Sequence, residues 1–322
     1  VSKYGQLVQG IISAIERGDY RRGDALPSLR QLMQQHAVSL NTARRAYYEL
    51  ERLGYAEAQP RRGYVVAADA GTAGDQLIAP LGAPFPHPAL YDTRALSHAF
   101  VGAMRHYHEA LAEPALAGLP ALRRQLARQA AAEGWELHAD EVLITCGGME
   151  ALSLAIAAVT HGVVRPTLAV LLPAFPGLLG WLAEHGVALL PLLPAADGTL
   201  DTAPLAAALA RGEVQGIALM TAFAHPHGRC LPEAVRQQLL ALAAQYDVAV
   251  IEDDAYRQLG FAEPMPQPLR AADSTGRVLL CGTFSKSLAP GYRVGWLLPG
   301  RYAALARRLK LAQTLASPLP NQ

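Results

Sequence analysis

Residues 278–296 read Val278-Leu279-Leu280-Cys281-Gly282-Thr283-Phe284-Ser285-Lys286-Ser287-Leu288-Ala289-Pro290-Gly291-Tyr292-Arg293-Val294-Gly295-Trp296. An apolar run of strand length, Val278–Cys281, ends in small and hydroxyl residues, and a lysine follows at once. Arg293 stands seven residues on, just before a second short apolar run, Val294–Leu297. Lysine is scarce here: of 28 Lys and Arg residues, only Lys3, Lys286 and Lys310 are lysines. A chain that otherwise prefers arginine keeps a lysine where amine chemistry needs one. The plain alternative for Lys286 is a loop lysine, and for Lys3 and Lys310 chance survival.

Outward from this stretch the pattern alternates. Val142–Cys146, Leu168–Leu172, Gly216–Met220 and Val248–Ile251 read as strands, and Met149–Thr160, Leu178–His185 and Pro232–Tyr246 as helices. Strands separated by helices predict an α/β layered sheet, mostly parallel and covered on both faces. Sites in such sheets gather beyond the carboxyl ends of the strands. Gly147-Gly148 joins a strand to a helix, where free N–H groups can hold a phosphate. Glu252-Asp253-Asp254-Ala255-Tyr256 puts three carboxylates at a strand end, costly unless solvated or paired with a cation; the bland reading is a surface acidic turn. Ala224-His225-Pro226-His227-Gly228 is a turn whose two histidines lack a third metal ligand, so no metal site is expected.

With 322 residues the chain is expected to hold two domains, and 51% hydrophobic against 17% charged residues excludes wholesale disorder. No apolar run spans a membrane and no signal-peptide h-region opens the chain, so a cytoplasmic protein is the default expectation. Cys146, Cys230 and Cys281 form neither a disulfide framework nor a C-x-x-C pair and are expected to be buried thiols. The net charge of +1 hides a split: residues 1–67 carry +4 and the rest −3. A basic head on a mildly acidic body suggests that the head meets a polyanion.

In that head Tyr4–Arg17 has helical apolar spacing. Ser28 and Ser39 cap two further helices, the last with apolar Ala43, Ala46, Tyr47, Leu50 and Leu53 before Gly54. Tyr55–Ala58 and Gly63–Ala67 are β-like runs around a basic tip. Three helices and a basic hairpin describe a winged helix-turn-helix, whose third helix enters the major groove of double-stranded DNA by its N-terminal end. Ser39, Asn41, Thr42, Arg44 and Arg45 point outward there. Arg61, Arg62 and Gly63 form the wing tip, and Arg30 faces the same side. The alternative is a small helical domain with an ordinary solvated basic face.

The wording of the sequence adds a resemblance in each half. LPSLRQLMQQHAVSLNTARRAYYELERLGY (26–55) resembles the GntR-type winged helix, with Leu40 where that family carries Arg. TFSKSLAPGYRVGW (283–296) is similar to the S-x-S-K-x-x-x-P-G-x-R-x-G signature of fold-type I pyridoxal-phosphate enzymes, the aminotransferase class I/II family. EDDAY (252–256) is similar to its E-D-D-x-Y box and TCGGMEAL (145–152) to T-x-G-x-x-x-A-L; HPHG (225–228) stands where the family has N-P-x-G. Gly118–Arg123 resembles its G-x-x-x-L-R helix start. The combination resembles the MocR type of transcriptional regulator.

What the resemblance implies is specific. The fold would be a winged helix at 1–67, a linker at 68–88 and an aminotransferase-like α/β body at 89–322. Lys286 would carry pyridoxal 5'-phosphate on its amine. Asp253 would pair with the ring nitrogen, and Tyr256 and His225 would meet the ring's phenolate oxygen. Thr283, Ser285 and Arg293, with the backbone N–H groups of Gly148 and Met149, would hold the phosphate. Phe175 would stack on the ring. A homodimer is implied, with pyridoxal phosphate or an amino compound as signal. Ala316–Gln322 resembles the point where the family enters a small C-terminal domain, so the chain is expected to stop short of it. Three functions remain open in this order: a pyridoxal-phosphate-dependent DNA-binding regulator, a working aminotransferase with an accessory head, and a DNA-binding protein whose body is only a scaffold.

Overall fold

The computed structural model describes residues 3–60, 62–67, 91–106, 115–261, 265–318 and 321–322. It divides into two compact units, Val1–Ala83 and Pro84–Gln322. The expected linker, 68–88, lies outside the described residues.

In the first unit α1 (Lys3–Glu16) buries Leu7, Val8, Ile11, Ile12 and Ile15, the 3.6-residue stripe of the sequence. α2 (Leu29–His36) opens on a reciprocal capping box: Ser28 Oγ accepts from Gln31 N–H, and the Gln31 side chain accepts from Ser28 N–H. α3 (Leu40–Arg52) is capped by Ser39, whose Oγ accepts from Thr42 N–H at 3.2 Å. β1 (Ala56–Gln59) and β2 (Gly63–Val66) pair antiparallel as the wing. Tyr47 ties these parts together. Its ring is fully buried and stacks on Tyr64 of β2 at 4.0 Å, while its hydroxyl donates to the Pro27 carbonyl ahead of α2.

The second unit is built on a seven-stranded sheet of order β3-β9-β8-β7-β6-β4-β5. The strands are β3 (Leu143–Thr145), β4 (Thr167–Leu171), β5 (Ala188–Leu192), β6 (Gly216–Leu219), β7 (Ala249–Asp253), β8 (Val278–Thr283) and β9 (Gly295–Leu298). From β5 to β8 neighbours run parallel, whereas β9 runs against both β8 and β3. The chain returns from β8 to β9 without a crossover helix, and a direct return gives an antiparallel pair. Side chains alternate between two apolar layers. Leu168, Val170, Ala218 and Ile251 meet α6 (Gly148–Val159) and α7 (Pro176–Glu184) on one face. Ala169, Leu171, Ile217 and Val250 meet α8 (Ala203–Ala210) and α9 (Glu233–Gln245) on the other. α4 (Thr93–His106), α5 (Pro120–Ala132) and α10 (Ala303–Gln313) complete the helices described.

Several elements escape the sequence pattern. β5 carries Pro191 and is mostly exposed at the sheet edge, where it pairs with β4 alone; an edge is where a strand tolerates proline. α4 and α8 were not expected either. The expectation of buried thiols holds for Cys281 but not for the others: Cys146 is half-buried, and Cys230 is exposed because its loop runs over the surface beyond the strand ends. Among the described residues no helix is long and apolar enough to cross a membrane.

Candidate functional site

The carboxyl ends of β7 and β8, the start of α6 and the approach to α7 surround one pocket. Asp253 closes β7, and Tyr256 follows in the next turn. Thr283 closes β8 and leads into Ser285, Lys286 and Arg293. Gly148 and Met149 begin α6, and Phe175 precedes α7. Stretches far apart in sequence thus bring nine expected residues together. His225 does not line the pocket; its ring lies beside that of Tyr256, centroids 6.2 Å apart and 15° from parallel. Leu152 and Ala255 also line the pocket and carried no sequence signal. Phe175 is half-buried, packed partly into the core and partly against this space.

One end of the pocket is a cradle for an anion. Arg293 Nη1 donates to Ser285 Oγ and Nη2 to the Cys146 carbonyl, each at 3.2 Å. Thr283 Oγ1 donates to Ser285 Oγ at 3.0 Å, and the Ser285 N–H donates to Thr283 Oγ1 at 3.1 Å. The N-terminus of α6 meets the same place, with its first N–H groups and positive dipole end. Gly147 makes the approach possible. It adopts φ 81 and ψ 176, and a Cβ there would lie 2.5 Å from Arg293 Nη2. A guanidinium, two hydroxyls and a helix N-terminus form the donor set that a phosphate group requires.

The other end holds an amine and a carboxyl. Burial lowers the pKa of Lys286, a shift opposed by Asp253 and aided by Arg293. Burial raises Asp253 to about 6, offset in part by the Ala255 N–H at 3.1 Å and by Lys286. Lys286 Nζ lies 5.5 Å from the centre of the Tyr256 ring. An amine made less basic is a nucleophile for a carbonyl, and a buried carboxyl suits a cationic ring nitrogen. The residues therefore fit pyridoxal phosphate at both its phosphate and its ring.

The acidic run is no surface turn. Glu252, Asp253 and Asp254 are all buried. Glu252 accepts from the Thr221 hydroxyl at 2.6 Å and from the N–H groups of Leu269 and Arg270 at 2.8 and 3.2 Å. Asp254 takes Arg257 Nε on both oxygens at 2.9 Å, and Arg257 Nη1 reaches Glu133 at 2.6 Å. Burial still raises Asp254 to about 8 against the pull of Arg257. Each buried acid thus has its donors, as burial demands. Lys310 is likewise no chance survivor. Its side chain is fully buried and pairs with Glu150 at 3.0 Å.

On the first unit Arg30, Ser39, Asn41 and Arg44 are exposed, and Thr42 is half-buried. The Ser39 and Thr42 hydroxyls bond each other at 2.9 Å as part of the cap. Arg45 is exposed, and its guanidinium sits 4.5 Å over the Tyr4 ring of α1, a cation–π contact. Arg62 is exposed and donates to Gln59 at 3.3 Å, and Gly63 takes φ 81 at the hairpin; Arg61 lies outside the described residues.

Residues 3–66 match the family described as "Bacterial regulatory proteins, gntR family", and residues 102–321 match "Aminotransferase class I and II". The HTH-type transcriptional regulator YjiR of Escherichia coli (strain K12) is 32% identical, over 97% of this chain and 72% of its own length. YdcR of the same organism is 32% identical, over 100% of this chain and 74% of its own. The chain belongs to the MocR-type regulators, a GntR head on an aminotransferase body. The body of this MocR-type chain also resembles solved aminotransferases. LysN, the alpha-aminoadipate aminotransferase of Thermus thermophilus, solved in complex with N-(5'-phosphopyridoxyl)-L-leucine, superposes with TM-score 0.64 at 26% identity. That match covers 75% of this chain and 61% of LysN.

Proposed function

We propose that this MocR-type regulator binds double-stranded DNA through residues 1–67 and pyridoxal 5'-phosphate in the pocket around Lys286, and that the state of the pocket sets the affinity for DNA. One observation carries the reading: Lys286, Asp253 and the Thr283–Ser285–Arg293 cradle share one pocket in a chain headed by a GntR-type winged helix. The phosphopyridoxyl compound held by LysN supports the choice of cofactor. When bound, pyridoxal phosphate supplies an electron sink toward amino compounds. Arg293, Thr283, Ser285 and the N–H groups of Gly148 and Met149 hold its phosphate. Lys286 offers the amine, its pKa lowered by burial. Asp253 holds the ring nitrogen, Tyr256 stands toward the ring oxygen with His225 beside its ring, and Phe175 covers the pyridine ring. Arg30, Ser39, Asn41, Thr42, Arg44, Arg45, Arg61, Arg62 and Gly63 form the DNA face. A homodimer working in the cytoplasm, answering pyridoxal phosphate or an amino compound, completes the proposal, with 68–88 as linker and 89–322 as body.

The test is the visible absorption spectrum with added pyridoxal phosphate, beside Lys286→Ala, followed by DNA binding with and without the cofactor. A lysine-dependent band together with cofactor-dependent DNA affinity is expected. No band in either protein overturns the cofactor reading. Multiple-turnover formation of keto acids from amino acids would favour the working aminotransferase instead.

A further inference from the structure

Two of the three lysines lie by the α6 N-terminus: Lys286 in the pocket and Lys310 in the core behind it. Lys310 Nζ donates to Glu150 Oε1 at 3.0 Å and to Ser317 Oγ at 3.2 Å. Glu150 also accepts from the Thr314 hydroxyl and from the Cys146 N–H. Burial alone would raise its carboxyl, but Cys146, Thr314 and Lys310 outweigh that and leave it below its ordinary value. Glu150 is therefore a buried anion in the first turn of the helix whose N-terminus meets the cradle. The same residue joins the two: Cys146 gives its N–H to Glu150 and its carbonyl to Arg293. Ser317 Oγ donates on to the Ile144 carbonyl at 3.2 Å, tying the Lys310 network to β3.

A fixed negative charge there opposes a bound phosphate. In a low-dielectric setting the opposition is felt over several ångströms unless a cation cancels it. We infer that Lys310 is the counter-ion that keeps Glu150 from repelling the cofactor's phosphate, so that the pair Glu150–Lys310 positions the cradle loop and sets its affinity for phosphorylated ligands. The inference rests on the pyridoxal-phosphate reading of the pocket. Glu150 holds Cys146 in place; Lys310 makes that carboxylate electrically silent toward the anion. Neither residue touches the ligand.

The two charges then have opposite signs of effect, which a purely structural network would not show. Lys310→Met leaves the carboxylate uncompensated, and the dissociation constant for pyridoxal phosphate rises roughly tenfold. Glu150→Gln keeps an acceptor for the Cys146 N–H and removes the negative charge, so affinity tightens. The double variant Glu150→Gln/Lys310→Met returns close to wild type. Pyridoxal, which lacks the phosphate, binds all four proteins alike.

The experiment is an absorbance titration of the full chain and its variants with pyridoxal phosphate and with pyridoxal, with a thermal melt on each. Opposite effects confined to the phosphorylated ligand support the inference. Parallel losses for both ligands, worst in the double variant, overturn it and leave a network that only stabilises the fold. Should Lys310→Met fail to fold, Glu150→Gln still decides the sign, because tighter pyridoxal phosphate binding supports the inference and unchanged or weaker binding overturns it. A wild-type protein that binds neither ligand overturns the cofactor reading itself, and this inference with it.

Discussion

Gly147→Ala puts a single methyl group where the cradle is tightest. The native backbone there, φ 81 and ψ 176, belongs to a region open essentially to glycine, so alanine costs about 1–3 kcal/mol of strain. The added Cβ would lie 2.5 Å from Arg293 Nη2 and 2.8 Å from its Cζ. Arg293 is exposed and its contacts to Ser285 and Cys146 are long, so the guanidinium is the part that moves. A charge-assisted hydrogen bond lost at the phosphate is worth about 1.5–3 kcal/mol, a weakening of roughly 10- to 150-fold. The strain itself appears separately, as a lower melting temperature of the ligand-free protein. Absorbance titration with pyridoxal phosphate reads the first effect and a thermal melt the second. Gly180→Ala is the control: it lies within α7 with nothing within 4 Å of an added methyl, and alanine there gains helix propensity of about 1 kcal/mol. A Gly147→Ala protein that binds pyridoxal phosphate as wild type does would refute the placement of Arg293 over Gly147 as the phosphate clamp.

Three further outcomes follow from buried and exposed charge. Asp253 has a folded pKa of about 6 against 3.8, so the unfolded chain loses its proton first; its contribution to ligand-free stability falls as pH rises from about 4 to 6, by at most about 3 kcal/mol, and is constant above, while Asp254, raised to about 8, continues the fall in wild type and variant alike. Melting temperatures of wild type and Asp253→Asn across that range check it, and parallel curves would contradict the shift. Arg257→Leu strands Asp254 and Glu133 without their cation and costs about 3–5 kcal/mol in denaturant unfolding, partly recovered by adding Asp254→Asn; no recovery would mean that packing rather than charge is lost. Arg44→Ala and Arg62→Ala each lower the slope of log DNA affinity against log salt by about 0.9, measured by fluorescence anisotropy, and an unchanged slope removes that residue from the phosphate contacts.

The head was legible because local signals decide it. Ser28 and Ser39 cap where their hydroxyls can reach the N–H groups of Gln31 and Thr42, and the 3.6-residue stripes bury as written. The central strands were legible because strands buried on both faces read as continuous apolar runs. β5 was not: it has solvent on one side and a proline inside, and its pairing with β4 is long-range. The pocket was legible through motif wording, since spacing places Lys286 and Arg293 after one strand and Asp253 at the end of another. Motif wording says nothing about counter-ions. Glu133 lies 124 residues from Arg257, and Lys310 lies 160 from Glu150; no periodicity links them.

Buried charge near the pocket separates into two kinds by the origin of its partners. Asp254 is met by Arg257, Glu150 by Lys310, and Glu252 by a hydroxyl and two backbone N–H groups, all from elements that hold the fold together. Asp253 has the N–H of Ala255 and otherwise looks into the pocket toward Lys286; burial raises its pKa, as it raises those of Glu252 and Asp254. The framework acids take their partners from the fold itself, whereas Asp253 turns toward the place proposed for a cationic ring nitrogen. Consecutive strand residues point to opposite faces, so Asp253 turns away from the side taken by Glu252 and Asp254. The E-D-D run thus places one carboxyl toward the pocket and two in the framework. Removing Asp254 should loosen the turn that presents Tyr256 and removing Glu252 the segment at Leu269 and Arg270, while removing Asp253 should leave the fold in place and empty the pocket of its counter-charge.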